Sequence, residues 1–145
     1  MQIELAKPTD AAALVVLMNQ LFEIPAEEAS IAKTLPKLLA DPAYHLLVAR
    51  EDGRLLGTMM GIVCYDLTGH CHPFMVVENV VTDQAARGRG VARALMAHLE
   101  EIARSQHCTC MMLCSGSERT GAHEMYRKLG FSDTITKGFK KMLEE

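Results

Sequence analysis

The sequence predicts an α/β or α+β domain, one sheet with a helix on each face. Three observations carry that reading. Short β-branched runs are interleaved with longer segments of helical periodicity, and turn signals fall between them. The chain has 145 residues, 49% of them hydrophobic and 23% charged, which suits one soluble domain, residues 1–145, with a real core.

Met1 to Ala6 reads as a first strand. Thr9 or Asp10 can cap a helix running through Leu14, Leu17, Met18 and Leu21. A second helical stretch runs from Ala26 to about Ala40, and Pro36 inside it is expected to break or kink it. Tyr44 to Arg50 and Arg54 to Tyr65 read as a hairpin about the Asp52-Gly53 turn. Leu67 to Pro73 is a loop. Phe74 to Thr82 is strongly β-branched and is expected to be a buried strand. A helix from about Gly88 to Ser105 has its apolar face at Val91, Leu95, Leu99 and Ile102. Cys108 to Cys114 reads as a buried strand, and Thr120 to Leu129 as a short helix stopped by Gly130. Phe131 to Asp133 and Gly138 to Leu143 are expected to close the chain as strands.

Composition removes several function classes. The net charge is −3 and no basic block or basic-aromatic stripe occurs, so no nucleic-acid partner is expected. Arg87, Arg89 and Arg93 instead suggest a small anionic ligand. No apolar run approaches the length of a membrane span, so no membrane partner is expected. Met1 to Asp10 contains Glu4 and lacks an apolar signal region, which gives a cytoplasmic expectation. Five cysteines are an odd number in a chain this size, so a disulfide framework is not expected.

The first chemical motif is Arg87-Gly88-Arg89-Gly90-Val91-Ala92, which follows a strand and opens a helix. Glycines let the backbone approach a ligand and adopt unusual dihedrals. Free N–H groups at a helix start, with the helix dipole, favour phosphate oxygens. A pyrophosphate is the natural guest. No Lys-Ser/Thr pair follows Gly90, so this is not a Walker loop. Arg93 stands where a dinucleotide fingerprint needs a third Gly or Ala. A glycine-rich helix start with solvated arginines is the plainer alternative.

The string Arg87-x-x-Gly90-x-Ala92, preceded by Glu78-Asn79-Val80-Val81-Thr82, resembles the signature of the GNAT family of N-acetyltransferases. A second marker is Ala122-His123-Glu124-Met125-Tyr126-Arg127-Lys128-Leu129-Gly130-Phe131. The element order is similar over essentially the whole chain. The resemblance implies a mixed, mostly antiparallel sheet of six to seven strands with about four helices on both faces. It implies acetyl-CoA as the acetyl donor, a small-molecule amine as partner, and a homodimer. The backbone of Val80, Val81 and Thr82 would bind the pantetheine arm and thioester. Arg87, Gly88, Arg89, Gly90, Val91 and Ala92 would hold the pyrophosphate. Many members carry Asn seven residues before the tyrosine; Arg119 stands there, so Ser115 or Ser117 would have to substitute. Met125 replaces the commoner aromatic beside Tyr126.

Attack on a thioester needs a neutral amine, hence a proton acceptor. The oxyanion needs N–H donors, and the departing thiolate benefits from an acid. Tyr126 matches the family's usual acid; an unperturbed phenol, with a pKa of about 10, is protonated at neutral pH. The alternative is a core tyrosine with one satisfied hydrogen bond. Glu78 is the base candidate, since it interrupts the apolar Val76 to Val81 run and partial burial would raise its pKa. The alternative is a solvent-facing Glu78 with a water chain as base. The Glu-Asn-Val-Val string also resembles that of glucosamine-6-phosphate acetyltransferases. The spacing of Arg119, Ala122, His123 and Tyr126 resembles aminoalkylphosphonate acetyltransferases, where Arg119 would suit an anionic substrate group.

No metal is expected. His70 and His72 lack an evident third ligand, and the shared parity of Cys108, Cys110 and Cys114 fits buried packing better than zinc. Direct acetyl transfer to a primary amine leads the readings. A peptide or protein acetyltransferase and a non-catalytic acyl-CoA sensor are the alternatives.

Overall fold

The computed structural model describes residues 1–143. Two compact units form, one from Met1 to Met112 and one beginning at Leu113. The first contains β1 (Gln2–Leu5), α1 (Ala11–Leu21), α2 (Glu28–Ala40), β2 (Tyr44–Glu51), β3 (Arg54–Cys64), β4 (Phe74–Thr82), α3 (Val91–Ser105) and β5 (Met111–Met112). The second contains α4 (Thr120–Lys128). The fold is mixed α and β, with one five-stranded sheet in the order β1-β2-β3-β4-β5 among the described residues. Every pairing is antiparallel except the parallel β4–β5 pair.

The β2–β3 hairpin turns on Asp52 (φ 49°) and Gly53 (φ 76°). Positive φ at both central residues is what a two-residue hairpin loop demands, and Asp-Gly supplies it at low cost. Helices cover both faces of the sheet. Leu14 and Leu17 of α1 and Leu35 of α2 pack in one cluster with Leu46, Val48, Met60 and Val81. On the other face the Cβ side of Gly61 looks at Leu99, and that of Gly57 at Val91, so α3 lies close over β3. Leu95 and Leu99 are fully buried there.

A charged cluster closes the start of the chain. Asp10 is the N-cap residue of α1, as the sequence allowed, but its carboxylate accepts from the Lys7 amide at 2.8 Å and from Arg50 Nη2 at 2.9 Å and makes no cap hydrogen bond to the helix. Arg50 Nε donates to Glu4 at 2.6 Å. The Arg50 guanidinium, then Lys7, hold the Glu4 carboxyl below the ordinary carboxylate range.

Of the break or kink expected at Pro36, the break does not occur: α2 runs from Glu28 to Ala40 with Pro36 inside it. The ring leaves the Ala32 carbonyl without its helical donor, but both residues are exposed and water can replace that bond. Leu35 anchors the helix in the core from the adjacent position.

The sheet is smaller than the six to seven strands expected. The Cys108 to Cys114 run forms only the two-residue β5, and Cys110 and Cys114 are exposed rather than packed inside. Phe131 to Asp133 and Gly138 to Leu143 form no strand. Local bonds take over the first of these: Arg127 Nη2 donates to Asp133 at 2.7 Å, and the Thr134 amide donates to Ser132 Oγ at 3.2 Å. Such side-chain bonds compete with ladder pairing. The second segment has no partner strand among the described residues, and a strand without a partner gains nothing from extension.

Candidate active site

The sequence places an asparagine inside a β-branched run, and β4 is irregular there. Thr58 pairs with Val81 and Met60 with Glu78, so Asn79 and Val80 together face Met59 alone. Asn79 takes φ 53°, the left-handed region in which Asn is tolerated better than Val. This is a β-bulge, which disrupts the ladder and re-aims the strand. The Asp83 amide donates to the Leu56 carbonyl at 2.8 Å, toward β3. Alternation then turns the backbone of Val81 toward β3, and that of Val80 and Thr82 toward the opposite edge.

That opposite edge is open. β5 pairs with β4 only at Met75–Met111 and Val76–Met112. From Val77 to Thr82, β4 has no strand neighbour on that side among the described residues. Glu78 stands opposite Met60, on the face that α1 and α2 cover, yet it is exposed. The partial burial that would raise its pKa is therefore absent, and the solvent-facing alternative describes Glu78, although its strand partner Met60 and its neighbour Val77 are buried.

Beyond Thr82 the chain makes a 3-10 turn, Gln84–Ala86. Asp83 Oδ1 accepts from the Ala85 amide at 3.0 Å, and Gln20 of α1 accepts from the Gln84 amide at 2.8 Å. Gly88 (φ 77°) and Gly90 (φ 78°) follow, and a Cβ at either would meet nothing within 4 Å. Glycine is required here for the dihedral and not for close packing. Gly90 is the N-cap of α3 and no side chain caps that helix. The amides of the first turn, from Val91 and Ala92 on, therefore start α3 without a side-chain acceptor. Arg87 is exposed. Arg89 is committed: its Nη2 lies 2.6 Å from Glu51 Oε2 at the end of β2. The Arg89 guanidinium, then the N-terminal amine, hold the Glu51 carboxyl below the ordinary range.

In the second unit Tyr126 lies on α4, 6% exposed, with its ring edge-on to Phe131 at a centroid distance of 6.0 Å. His123 Nε2 lies 2.8 Å from the Gly116 carbonyl. The Ser115 hydroxyl is buried without a hydrogen-bond partner among the described residues. Ser117 and Arg119 are exposed.

Two features escaped the sequence reading. The bulge had a signal, Asn79 in a Val-rich strand. The Glu51–Arg89 pair had none, since the two residues are 38 positions apart. His70, Cys71 and His72 form an exposed loop tip with the two rings 6.3 Å apart. Among the described residues no three His, Cys, Asp or Glu side chains are placed to hold a metal.

The chain is similar to known acetyltransferases in sequence and in fold. The chain is 37% identical over 120 residues to glucosamine 6-phosphate N-acetyltransferase 1 of Oryza sativa subsp. japonica, covering 79% of this chain and 70% of that one. It is 27% identical over 101 residues to aminoglycoside N(6')-acetyltransferase type 1 of Serratia marcescens, covering 68% and 69%. A solved structure of an acetyltransferase homologue from Agrobacterium tumefaciens str. C58 superposes with a TM-score of 0.91 at 30% identity, covering 99% of this chain and all of that one. The profile of the acetyltransferase (GNAT) family matches residues 12–131. With most of its length matched and its sheet and helices shared, the chain belongs to the acetyltransferase (GNAT) family and is an acyltransferase.

Proposed function

We propose that this chain transfers the acetyl group of acetyl-CoA directly to a primary amine of a small molecule. The observation that carries the proposal is the open β4 edge leading into the glycine turn at the start of α3. An extended arm bearing amides fits a strand edge with free backbone groups, and a pyrophosphate fits an uncapped helix start. Acetyl-CoA has both parts in that order. The residues of the first unit suit it: Val80 and Thr82 turn their backbone outward, and Val91 and Ala92 offer amides.

When bound, acetyl-CoA supplies an activated acyl group. The chain's own residues have the proton work. Glu78 would accept the proton of the incoming amine, directly or through water, which its exposure allows. Tyr126 Oη would hold the proton delivered to the departing sulfur. Val80 and Thr82 would orient the arm, and Arg87, Gly88, Arg89 and Gly90 would fix the phosphates. The substrates after which the two relatives are named, an amino sugar phosphate and aminoglycosides, support a small-molecule acceptor. The homodimer and the cytoplasmic location belong to the same proposal.

The test is acetyl-CoA turnover, read as free thiol, across amino sugars, aminoalkylphosphonates, polyamines, amino acids and short peptides. Turnover with a free amine establishes the reaction. Turnover with peptides alone would replace it with protein acetylation. Binding of acetyl-CoA without turnover would favour an acyl-CoA sensor.

A further inference from the structure

We propose that Glu51 is a positioning residue for the phosphates of the acetyl donor, acting through Arg89. The inference rests on the acetyl-CoA reading above. Arg89 sits between two glycines, Gly88 and Gly90, both at positive φ with open space where a Cβ would be. Among the described residues, no atom lies against the Cβ side of either glycine. A long arginine on such a loop has rotamer freedom that a ligand would have to freeze. Glu51 removes much of that freedom beforehand. It is the last residue of β2, paired with Arg54 directly before the tight Asp52-Gly53 turn, so its backbone is held by the hairpin.

The geometry leaves the guanidinium usable. Arg89 gives Nη2 to Glu51 Oε2 at 2.6 Å, while the other carboxylate oxygen faces the Met1 amine at 3.3 Å. An arginine has five N–H donors, so Nε and Nη1 remain for phosphate oxygens. The contact is single and not a closed two-point fork. Glu51 thus aims the cation without consuming it, and it joins the β2–β3 hairpin to the turn that opens α3. A carboxylate beside a phosphate site is otherwise unfavourable, and its pairing with Arg89 offsets that repulsion.

Isothermal titration of the purified chain with acetyl-CoA, and with pantetheine as the phosphate-free control, tests this role. E51Q is close in size, and its fold is checked by thermal melting. The expected result is acetyl-CoA binding weakened roughly two- to five-fold, as for a half-exposed ion pair, with pantetheine binding and saturated turnover unchanged. R89A is expected to weaken acetyl-CoA binding roughly ten-fold, and adding E51Q to it should weaken it no further. E51Q binding as tightly as the parent, or more tightly, would overturn the positioning role, the latter because Glu51 would then compete with phosphate. Additive losses in the double variant would overturn it too, leaving Glu51 a plain hairpin residue. Failure of the parent chain to bind acetyl-CoA would remove the underlying reading and this role with it.

Discussion

Replacing Gly57 by alanine puts a methyl group where β3, β4 and α3 come closest together. The new Cβ would lie 2.8 Å from the Val81 carbonyl oxygen and 2.8 Å from Val91 Cγ1. The first neighbour is backbone in a paired strand and cannot rotate away; the second is the first residue of α3. Overpacking of this kind costs about 1–3 kcal/mol. Alanine recovers about 0.4–1 kcal/mol by restricting the unfolded chain, since Gly57 is not at positive φ. The net is a loss of about 1–2 kcal/mol, or a Tm lower by roughly 4 °C. Gly61→Ala is the internal control. Its Cβ would lie 2.8 Å from Met75 Sδ and 2.9 Å from Leu99 Cδ2, both ends of flexible side chains. Methionine adapts its shape, so the loss there is expected to stay below about 1 kcal/mol. Urea denaturation followed by circular dichroism gives both values on one scale. Equal stability for Gly57→Ala and the parent, or a larger loss for Gly61→Ala, would refute the reasoning that unyielding backbone sets the cost.

The acid role proposed for Tyr126 predicts that Tyr126→Phe lowers saturated turnover roughly 100-fold while acetyl-CoA affinity stays within about two-fold; stopped-time thiol release and titration check this, and an unchanged rate removes the role. Arg50→Met deprives the buried Asp10 carboxylate of its charged donor and is expected to cost about 2 kcal/mol in urea denaturation. The Glu4 carboxyl is held below its ordinary value of 4.5 by Arg50 and then Lys7, so its contribution is complete above pH 4.5 and is lost as pH falls through the lower folded-state value. Urea midpoints taken downward from pH 5 should fall, and Arg50→Met should shrink that fall. Burial lowers the pKa of His45, whose Nε2 has no partner, below the ordinary 6.5. Its contribution is therefore present above pH 6.5 and is lost as pH falls from there through the folded-state value; His45→Phe should remove that part of the pH slope, and an unaltered slope would show that His45 does not carry it.

The sequence was most legible where one local signal decides the structure. Phe74 to Thr82 is a strand with the predicted ends, because β-branched residues leave few alternatives. Asp52-Gly53 makes the hairpin, because few other pairs tolerate two positive φ values. The helix through Leu95 and Leu99 follows its apolar face. The misreadings share a cause, which is that propensity does not see partners. Pro36 looked like a break or a kink, but the helix is unbroken, with Leu35 in the core and the orphaned carbonyl at an exposed position where water can reach it. Cys110 and Cys114 looked buried because sulfur prefers the interior, yet the strand around them pairs over two residues only. Glu78 could be read as half-buried or as solvent-facing, and it is exposed. The glycine turn was legible as a turn opening a helix, and Gly88 and Gly90 do take positive φ there. The Glu51 tether on Arg89 was not, because it depends on tertiary contact alone.

The bulge at Asn79 also explains how one strand can serve both the core and the candidate site. Val77 pairs with Gly61 and so lies on the face that α3 covers. Val81, four residues on, would lie on that same face in a regular strand, because side chains repeat every two residues. Instead it packs with Leu14 and Leu17 of α1 on the opposite face. The extra residue at the bulge shifts the parity, so β4 gives one buried valine to each face and keeps both helical layers attached. That parity shift accompanies the open backbone edge at Val80 and Thr82, just upstream of the glycine turn. Removing the bulge to regularise the strand would place Val81 on the wrong face, so the irregularity that opens the edge is held in place by the packing energy of the core.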